Sequence, residues 1–148
     1  MTIIRIACIR IFTMLAVVLF AAAVKAEERS LYQRLGGYDA IAAVSDEFIA
    51  RLATDDQEKR FFIGFSNDSK LRIRQHLVDL VCKSTGGPCV YTGRDMKTAH
   101  AGAGVTKADW DRSLKIFGEV LSKFKVPDKE QQELAALLIP LEKDIVEK

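Results

Sequence analysis

The chain contains two histidines, His76 and His100, which are its best candidates for binding a metal or a cofactor, because a neutral imidazole is the commonest metal ligand in proteins. His100 lies in the segment GRDMKTAHAGAGV, residues 93–105, among small residues. Small neighbours would allow a bulky group to approach the ring closely. A solvated or capping histidine at an ordinary helix end has the same surroundings, so the local pattern leaves both interpretations open.

Two of the three cysteines, Cys82 and Cys89, lie close enough in sequence to form a disulfide bond. In an oxidising compartment this bond would close a short loop and contribute about 2–3 kcal/mol to stability. Two free buried thiols are the alternative. The chain has no CxxCH motif and no Cys/His cluster with zinc spacing, so we expect neither covalent c-type haem attachment nor a zinc site.

The first 26 residues are typical of a secretory signal peptide. Arg5 and Arg10 form a basic region, an apolar stretch follows over residues 11–24, and the small residues Val24 and Ala26 fit a signal peptidase site. We expect cleavage after Ala26, which leaves a single mature domain, residues 27–148, in a bacterial periplasm. The alternative is an uncleaved membrane anchor, although the apolar stretch is shorter than the roughly 20 residues that span a bilayer.

Removal of the signal peptide changes the charge balance. The full chain has 22 basic and 20 acidic residues, and the signal peptide holds three basic residues and no acidic one. The mature chain is then close to neutral and lacks the basic excess that nucleic-acid binding requires. We therefore expect no nucleic-acid partner and, after cleavage, no membrane association.

Apolar residues recur every three or four positions along most of the mature chain, which predicts four amphipathic helices and an all-α fold class. The first helix follows Gly36-Gly37, and the second ends at Gly86-Gly87-Pro88. The third has Thr106 as a candidate N-cap, and Pro140 should kink the fourth. The apolar positions, helix by helix, are Ile41, Val44, Phe48 and Leu52; Ile73, Leu77, Leu80 and Val81; Trp110, Leu114, Phe117, Leu121 and Phe124; and Leu134, Leu138, Leu141 and Ile145.

Two long segments do not fit a simple helical bundle. Residues 54–70 carry Phe61 and Phe62 between polar runs, and residues 88–105 carry His100 in a connection rich in glycine. Loops of this length in a compact domain are usually functional or bound to a ligand. We expect the two segments to form two walls of a pocket between helices.

Three stretches, LYQRLGGYDAI at 31–41, FIARLATDDQEKRFF at 48–62 and GGPCVYTGRDMKTAHAGAGV at 86–105, resemble the group I truncated haemoglobins. The resemblance runs from about residue 31 to residue 145. It implies a truncated globin fold, a two-over-two helical sandwich, that holds non-covalent haem b (iron protoporphyrin).

On this match, His100 is the proximal iron ligand and Phe62 packs against the porphyrin. Lys97 and Arg94 would lie near the propionates, where a cation offsets the carboxylate charge, although Arg94 could equally be an ordinary surface charge. Met96 and Leu114 are further candidates for contact with the cofactor.

The distal side departs from the family pattern. Oxygen-binding relatives often place a tyrosine directly after the phenylalanine of this helix, whereas here Ile49 follows Phe48. An aliphatic side chain shapes the pocket but cannot donate a hydrogen bond to a bound ligand. The resemblance therefore implies weak stabilisation of oxygen and argues against fast oxygen-dependent oxidation of nitric oxide.

The register of the distal helix has two solutions. Counting forward from Phe61-Phe62 puts Leu71, Arg74 and Gln75 at the distal positions, whereas counting back from the Gly86-Gly87 pair puts Ile73, His76 and Leu77 there. We prefer the second register, because His76 then lies on the apolar stripe of the helix and the insertion falls in a loop.

Some relatives carry a histidine at this position that binds the iron as a sixth ligand. We therefore consider two roles for His76: an iron ligand opposite His100, or a residue that lines the pocket without binding iron.

The resemblance implies a haem protein that reversibly binds oxygen, nitric oxide or carbon monoxide, with nitric oxide or peroxide chemistry as an open enzymatic role. The alternative is a periplasmic electron-transfer or redox haem protein, which would need a periplasmic electron donor. Haem carriage or sensing is a third interpretation.

Overall fold

The computed structural model describes residues 29–148, and the predicted signal peptide, residues 1–26, falls outside that range. Seven α-helices and two 3₁₀ helices form the secondary structure, with no strand in residues 29–148. The predicted all-α class is therefore confirmed. The α-helices are α1 (Leu31–Arg34), α2 (Gly37–Thr54), α3 (Asn67–Ser84), α4 (Met96–His100), α5 (Lys107–Lys123), α6 (Asp128–Leu138) and α7 (Glu142–Ile145), and the 3₁₀ helices are Lys59–Phe62 and Ile139–Leu141.

The double glycine before α2 is required by the backbone. Gly36 has a φ of 95°, and a Cβ at this position would lie 2.9 Å from the Cβ of Ala40. A side chain here would be both strained and crowded, so glycine allows α1 and α2 to meet at a sharp turn.

The predicted start of the third long helix at Thr106 and the predicted interruption at Pro140 are confirmed. The Thr106 hydroxyl accepts a hydrogen bond from the backbone N–H of Asp109, whose carboxylate accepts one from the backbone N–H of Thr106. This capping box begins α5. Pro140 interrupts the last helical segment, because α6 ends at Leu138 and a 3₁₀ turn separates it from α7.

The helices enclose two hydrophobic clusters. In the larger one, α2 packs against both α3 and α5, and α1 packs against α6. The smaller one joins the start of α5 to α7 and to the segments of the predicted pocket. The larger core comprises Leu31, Ile41, Ala42, Val78, Val81, Cys82, Phe117, Leu121 and Leu134, and the smaller core Val105, Trp110 and Ile145.

Phe124 is an exception to the predicted apolar stripe of α5. The helix ends at Lys123, so Phe124 falls outside the helical repeat and is 40% exposed.

Within the described part of the chain, no helix is both long and apolar enough to cross a membrane.

Candidate functional site

His100 is the last residue of the short helix α4, whereas the sequence predicted an irregular loop around it. The Asp95 carboxylate caps this helix by accepting a hydrogen bond from the backbone N–H of Thr98 at 2.9 Å. The half-buried His100 ring places Nδ1 2.9 Å from the carbonyl oxygen of Met96. Because a carbonyl can only accept, this contact assigns the proton to Nδ1 and leaves the lone pair of Nε2 available to a metal.

The helix that carries His100 rests on the smaller core. Met96 packs against this cluster, and α4 lies against α7. Leu114, another predicted contact, packs against the same cluster from α5. The structure therefore brings Met96, Leu114 and His100 to one side of the molecule.

His76 is half-buried on α3, and its ring centroid lies 6.0 Å from that of Tyr91 at an interplanar angle of 70°. Its Nδ1 is buried and has no hydrogen-bond partner among residues 29–148. A buried polar nitrogen without a partner is costly and therefore calls for a functional explanation.

The residues of the two distal registers have different surroundings. Arg74 pairs with Asp46 on α2 at 2.7 Å, and the Gln75 amide donates to Tyr38 Oη and to Asp79 Oδ1, each at 2.9 Å. Leu71 is 64% exposed. In the other register, Ile73 and Leu77 are half-buried, and Leu77 packs against the larger core.

The segment between the two histidine-bearing helices is fixed to α3. A disulfide bond joins Cys82 to Cys89, with their Cα atoms 5.8 Å apart. The Tyr91 hydroxyl donates a hydrogen bond to the carbonyl oxygen of Arg94 at 2.6 Å, and a Cβ at Gly93 would lie 2.4 Å from the Tyr91 side chain. Glycine at this position therefore allows the Tyr91 ring to fold back toward its own chain and contact His76.

Phe61 and Phe62 lie on the 3₁₀ helix that precedes α3, and they have different surroundings. Phe61 packs against the smaller core, with the Arg60 guanidinium 4.4 Å from its ring centroid. Phe62 is half-buried, with its ring centroid 6.4 Å from that of Phe65.

Several large apolar side chains are exposed close in sequence to these site residues. Such exposure is typical of surfaces that a ligand or partner covers. The residues are Ile63 (78% exposed), Phe65 (45%), Leu71 (64%) and Val90 (73%).

The remaining predicted site residues are divided between core and surface. Phe48 packs against the larger core, with its ring centroid 5.1 Å from that of Phe117, and Ile49 beside it is half-buried. Arg94 and Lys97 are exposed and form no ion pair with any residue in the 29–148 range. Their charges are therefore available to an anionic ligand.

A buried carboxylate holds the Phe61-Phe62 segment against the start of α5. Asp109 is 2% exposed and accepts hydrogen bonds from Gln57 Nε2 at 3.0 Å and from the Arg60 guanidinium at 2.7 Å. Burial alone would raise the pKa of Asp109, but hydrogen bonds from Thr106, Gln57 and Arg60 outweigh it and lower this pKa well below its usual range. The T-x-x-D pattern at 106–109 signals the helix cap in the sequence, but not the contacts of Asp109 with the preceding segment.

Glu58 lies in the same buried cluster and has the opposite shift. Burial, with a further contribution from the Asp109 charge, raises the pKa of Glu58. Its Oε2 accepts a hydrogen bond from Ser113 Oγ at 3.3 Å, whereas its buried Oε1 has no partner among residues 29–148. The ionised Glu58 is therefore poorly accommodated in the folded protein.

We expect Glu58→Gln to stabilise the protein at pH 7.5 by about 1 kcal/mol and to have little effect near pH 4. A carboxyl whose pKa is raised by folding contributes stability below its unfolded pKa, and this contribution is lost as the pH rises through the folded pKa. The amide removes the buried charge, so its benefit exists only where Glu58 is ionised. Urea unfolding at both pH values measures the difference.

Glu119→Gln is the matched control, because Glu119 lies exposed on α5 and forms only a 3.4 Å pair with Arg51. It should change stability little at either pH. A Glu58→Gln variant that is less stable than the wild type at pH 7.5 would contradict the conclusion that the folded protein accommodates the ionised Glu58 poorly.

Sequence comparisons agree with this architecture. A family model described as bacterial-like globin matches residues 30–147. The group 1 truncated hemoglobin GlbN of Mycolicibacterium paratuberculosis is 33% identical over 121 residues, which cover 82% of this chain and 87% of that protein. The protein of the same name from Nostoc commune is 36% identical over 90 residues, which cover 61% of this chain and 74% of the relative.

Solved structures give the same result. The truncated hemoglobin from Tetrahymena pyriformis in its Fe(III) form matches with a TM-score of 0.74 and 26% identity, over 81% of this chain and 100% of that one. The 2/2 hemoglobin from Synechococcus sp., a structure with covalently attached heme, matches with a TM-score of 0.73 and 24% identity over the same shares. At 24% identity, the similarity to the Synechococcus structure concerns the fold alone.

Proposed function

Because this chain belongs to the bacterial-like globins, and within them to the group 1 truncated haemoglobins, we propose that it binds haem b through His100 and reversibly binds oxygen, nitric oxide or carbon monoxide. The likeness to solved structures confirms the predicted two-over-two helical fold. Family membership implies haem-based ligand binding. The type of haem, the ligands and the roles of individual residues are parts of the proposal.

The single observation that carries the proposal is the contact between His100 Nδ1 and the Met96 carbonyl oxygen at 2.9 Å. A hydrogen bond of this kind fixes the orientation and the tautomer of a metal-binding imidazole, and it makes Nε2 a better electron donor.

The surrounding side chains fit a large, flat, apolar group with acidic substituents. Phe62 and the exposed apolar residues near it would cover such a group, and the unpaired Arg94 and Lys97 could bind its carboxylates. We propose non-covalent attachment, because the chain has no CxxCH motif and its cysteines at 82 and 89 are paired. Haem bound here would supply an iron with a coordination position open to exchangeable ligands.

On the distal side, we propose that His76 is the internal sixth ligand in the absence of an external one. Arg74 and Gln75 of the competing register are held by partners on α2 and α3, which supports the register that contains Ile73, His76 and Leu77. Among the candidate distal residues of this register, only the His76 imidazole carries a lone pair for iron, because Ile49, Ile73 and Leu77 are aliphatic.

Absorption spectra of the purified protein test haem binding. With haem supplied, the ferric, ferrous and ferrous carbon monoxide forms should each show the Soret and visible bands of haem b, and the pyridine haemochrome should have the spectrum of unmodified protoporphyrin. A protein that takes up no haem would contradict the whole proposal. A haemochrome shifted by vinyl modification would contradict non-covalent attachment only.

We further propose that the protein acts in a bacterial periplasm, where a disulfide is stable and where turnover would require a periplasmic electron donor. The Cys82–Cys89 bond supports this location, together with the signal-like sequence of residues 1–26. Intact-mass measurement on protein from a periplasmic extract should show a chain that begins at Glu27 with no free thiol. A full-length chain with reduced cysteines that is found only in the cytoplasmic fraction would contradict export.

A further inference from the structure

The loop that follows His100 binds a carboxylate from the end of the chain. Gly102 and Gly104 donate their backbone N–H groups to Oε1 and Oε2 of Glu147 at 2.5 and 2.9 Å. Both glycines have positive φ values, 79° and 70°, and a Cβ at either position would meet no atom within 4 Å. Glycine is therefore required here by the backbone conformation that aims the N–H groups, and not by lack of space.

Further backbone hydrogen bonds join the same two segments. The N–H of Glu147 donates to the carbonyl oxygen of Val105 at 2.8 Å, and the N–H of Lys107 donates to that of Lys148 at 3.2 Å. We use the name C-terminal clasp for these two hydrogen bonds together with the two that the Glu147 carboxylate accepts. The clasp fixes residues 102–107 to the end of the chain.

The C-terminal clasp is connected to His100 through the loop that follows this residue. The N–H of Ala103, between the two glycines, donates to the carbonyl oxygen of His100 at 3.0 Å. Helix α4 has only five residues, too few for a helix to be stable without tertiary support. The Asp95 side chain caps the first turn of α4. The loop of residues 102–104, which binds Glu147, contacts its last residue through the Ala103 N–H.

We propose that Glu147 is a positioning residue for His100: by binding Gly102 and Gly104, it fixes the end of α4 and so the direction in which the imidazole presents Nε2. This inference rests on the proposed role of His100 as the proximal ligand. Glu147 does not touch the iron or its ligands and acts only through the backbone of the loop.

The test compares Glu147→Ala, Glu147→Gln and the control Glu142→Ala, each in the full-length chain loaded with haem. Glu142 lies on the neighbouring α7, and its side chain makes only a 3.8 Å contact with Lys107. Haem transfer to excess apomyoglobin should be about tenfold faster for Glu147→Ala, since two charge-assisted hydrogen bonds of an exposed carboxylate are lost. Glu147→Gln, which keeps one accepting oxygen, should lie between, and Glu142→Ala should match the wild type.

A spectroscopic measurement separates positioning from general stabilisation. The same three substitutions are placed in a His76→Ala background, so that ferrous iron has a single protein ligand, and the iron–histidine stretching frequency is measured by resonance Raman. Glu147→Ala should lower this frequency or broaden its band, and Glu142→Ala should leave it unchanged.

The outcomes separate this inference from the function it rests on. A lower melting temperature with an unchanged stretching frequency and haem transfer rate would overturn it, because Glu147 would then be only a structural contact. If Glu147→Ala fails to fold, the intermediate Glu147→Gln must still show both effects. A wild-type protein that takes up no haem would overturn the proposed function and this inference together, whereas haem binding with no effect of Glu147 would overturn this inference alone.

Discussion

Replacing His100 with alanine should abolish stable haem binding, with haem affinity reduced on the order of 100-fold or more. The substitution removes the imidazole whose Nδ1 lies 2.9 Å from the Met96 carbonyl oxygen. It leaves only His76 as a candidate iron ligand, and the Nδ1 of His76 has no hydrogen-bond partner within residues 29–148 to orient the ring. Titration of the apoprotein with haem, followed at the Soret band, measures the loss. The helical circular dichroism should be retained, because the His100 side chain is only half-buried and makes a single hydrogen bond within the described structure.

A cavity rescue sharpens this test. His100→Gly should also lose haem, but added imidazole should restore the Soret band, because the free ligand can occupy the space of the missing ring. Lys97→Ala is the matched control on the same helix, and it should weaken haem binding only modestly, since an exposed cation contributes little. If His100→Ala keeps the wild-type spectrum and affinity, the proximal assignment is wrong.

The second large effect concerns His76. Ferric wild-type protein should be predominantly low-spin, and His76→Ala should convert it to a high-spin form, because alanine removes the sixth ligand. In the ferrous state, carbon monoxide binding to the wild type should be slow and independent of ligand concentration, since His76 must leave first. In His76→Ala, the rate should rise in proportion to carbon monoxide.

Gln75→Ala is the matched control for this experiment. The Gln75 side chain is hydrogen-bonded to Tyr38 and Asp79 and therefore is not expected to reach the iron. Its removal should leave the spin state and the carbon monoxide kinetics unchanged. A wild-type ferric spectrum that is already purely high-spin would contradict coordination by His76 and would leave this residue as a lining of the pocket.

The same kinetics distinguish the two functional classes. A persistent internal ligand changes little when the iron is reduced, which suits electron transfer and would favour the redox alternative. Rapid, concentration-dependent binding by the wild type would favour handling of diatomic gases. The aliphatic Ile49 supports neither strong oxygen stabilisation nor fast oxygen-dependent nitric oxide oxidation, because it offers no hydrogen-bond donor.

The helices were predictable from the sequence because their signals are local. The apolar repeat, the Thr106 cap, the Gly36-Gly37 break and the interruption at Pro140 each involve residues within a few positions of one another. Phe124 deviates from its stripe because the end of a helix depends on where the chain turns, and periodicity does not report that turn.

His100 could be singled out from the sequence, but only through the resemblance of its neighbourhood to a family. Its local spacing was equally typical of an ordinary helix end, and the roles of His100 and His76 remain predictions that the experiments above address. The glycines after His100 also have a different role from the one their small size suggested, which was to let a bulky group approach the ring. Gly102 and Gly104 adopt positive φ and present N–H groups to Glu147.

By itself, the sequence determined the all-α class, the family and the two histidines that we propose as iron ligands. Only the tertiary structure decided which distant residues meet: the Tyr91 ring lies beside His76, Asp109 binds Gln57 and Arg60, and Glu147 binds the loop after His100. The physical reason is separation along the chain. Contacts between residues that are tens of positions apart follow no period and no fixed spacing in the sequence. They can therefore be recognised only in the packed structure.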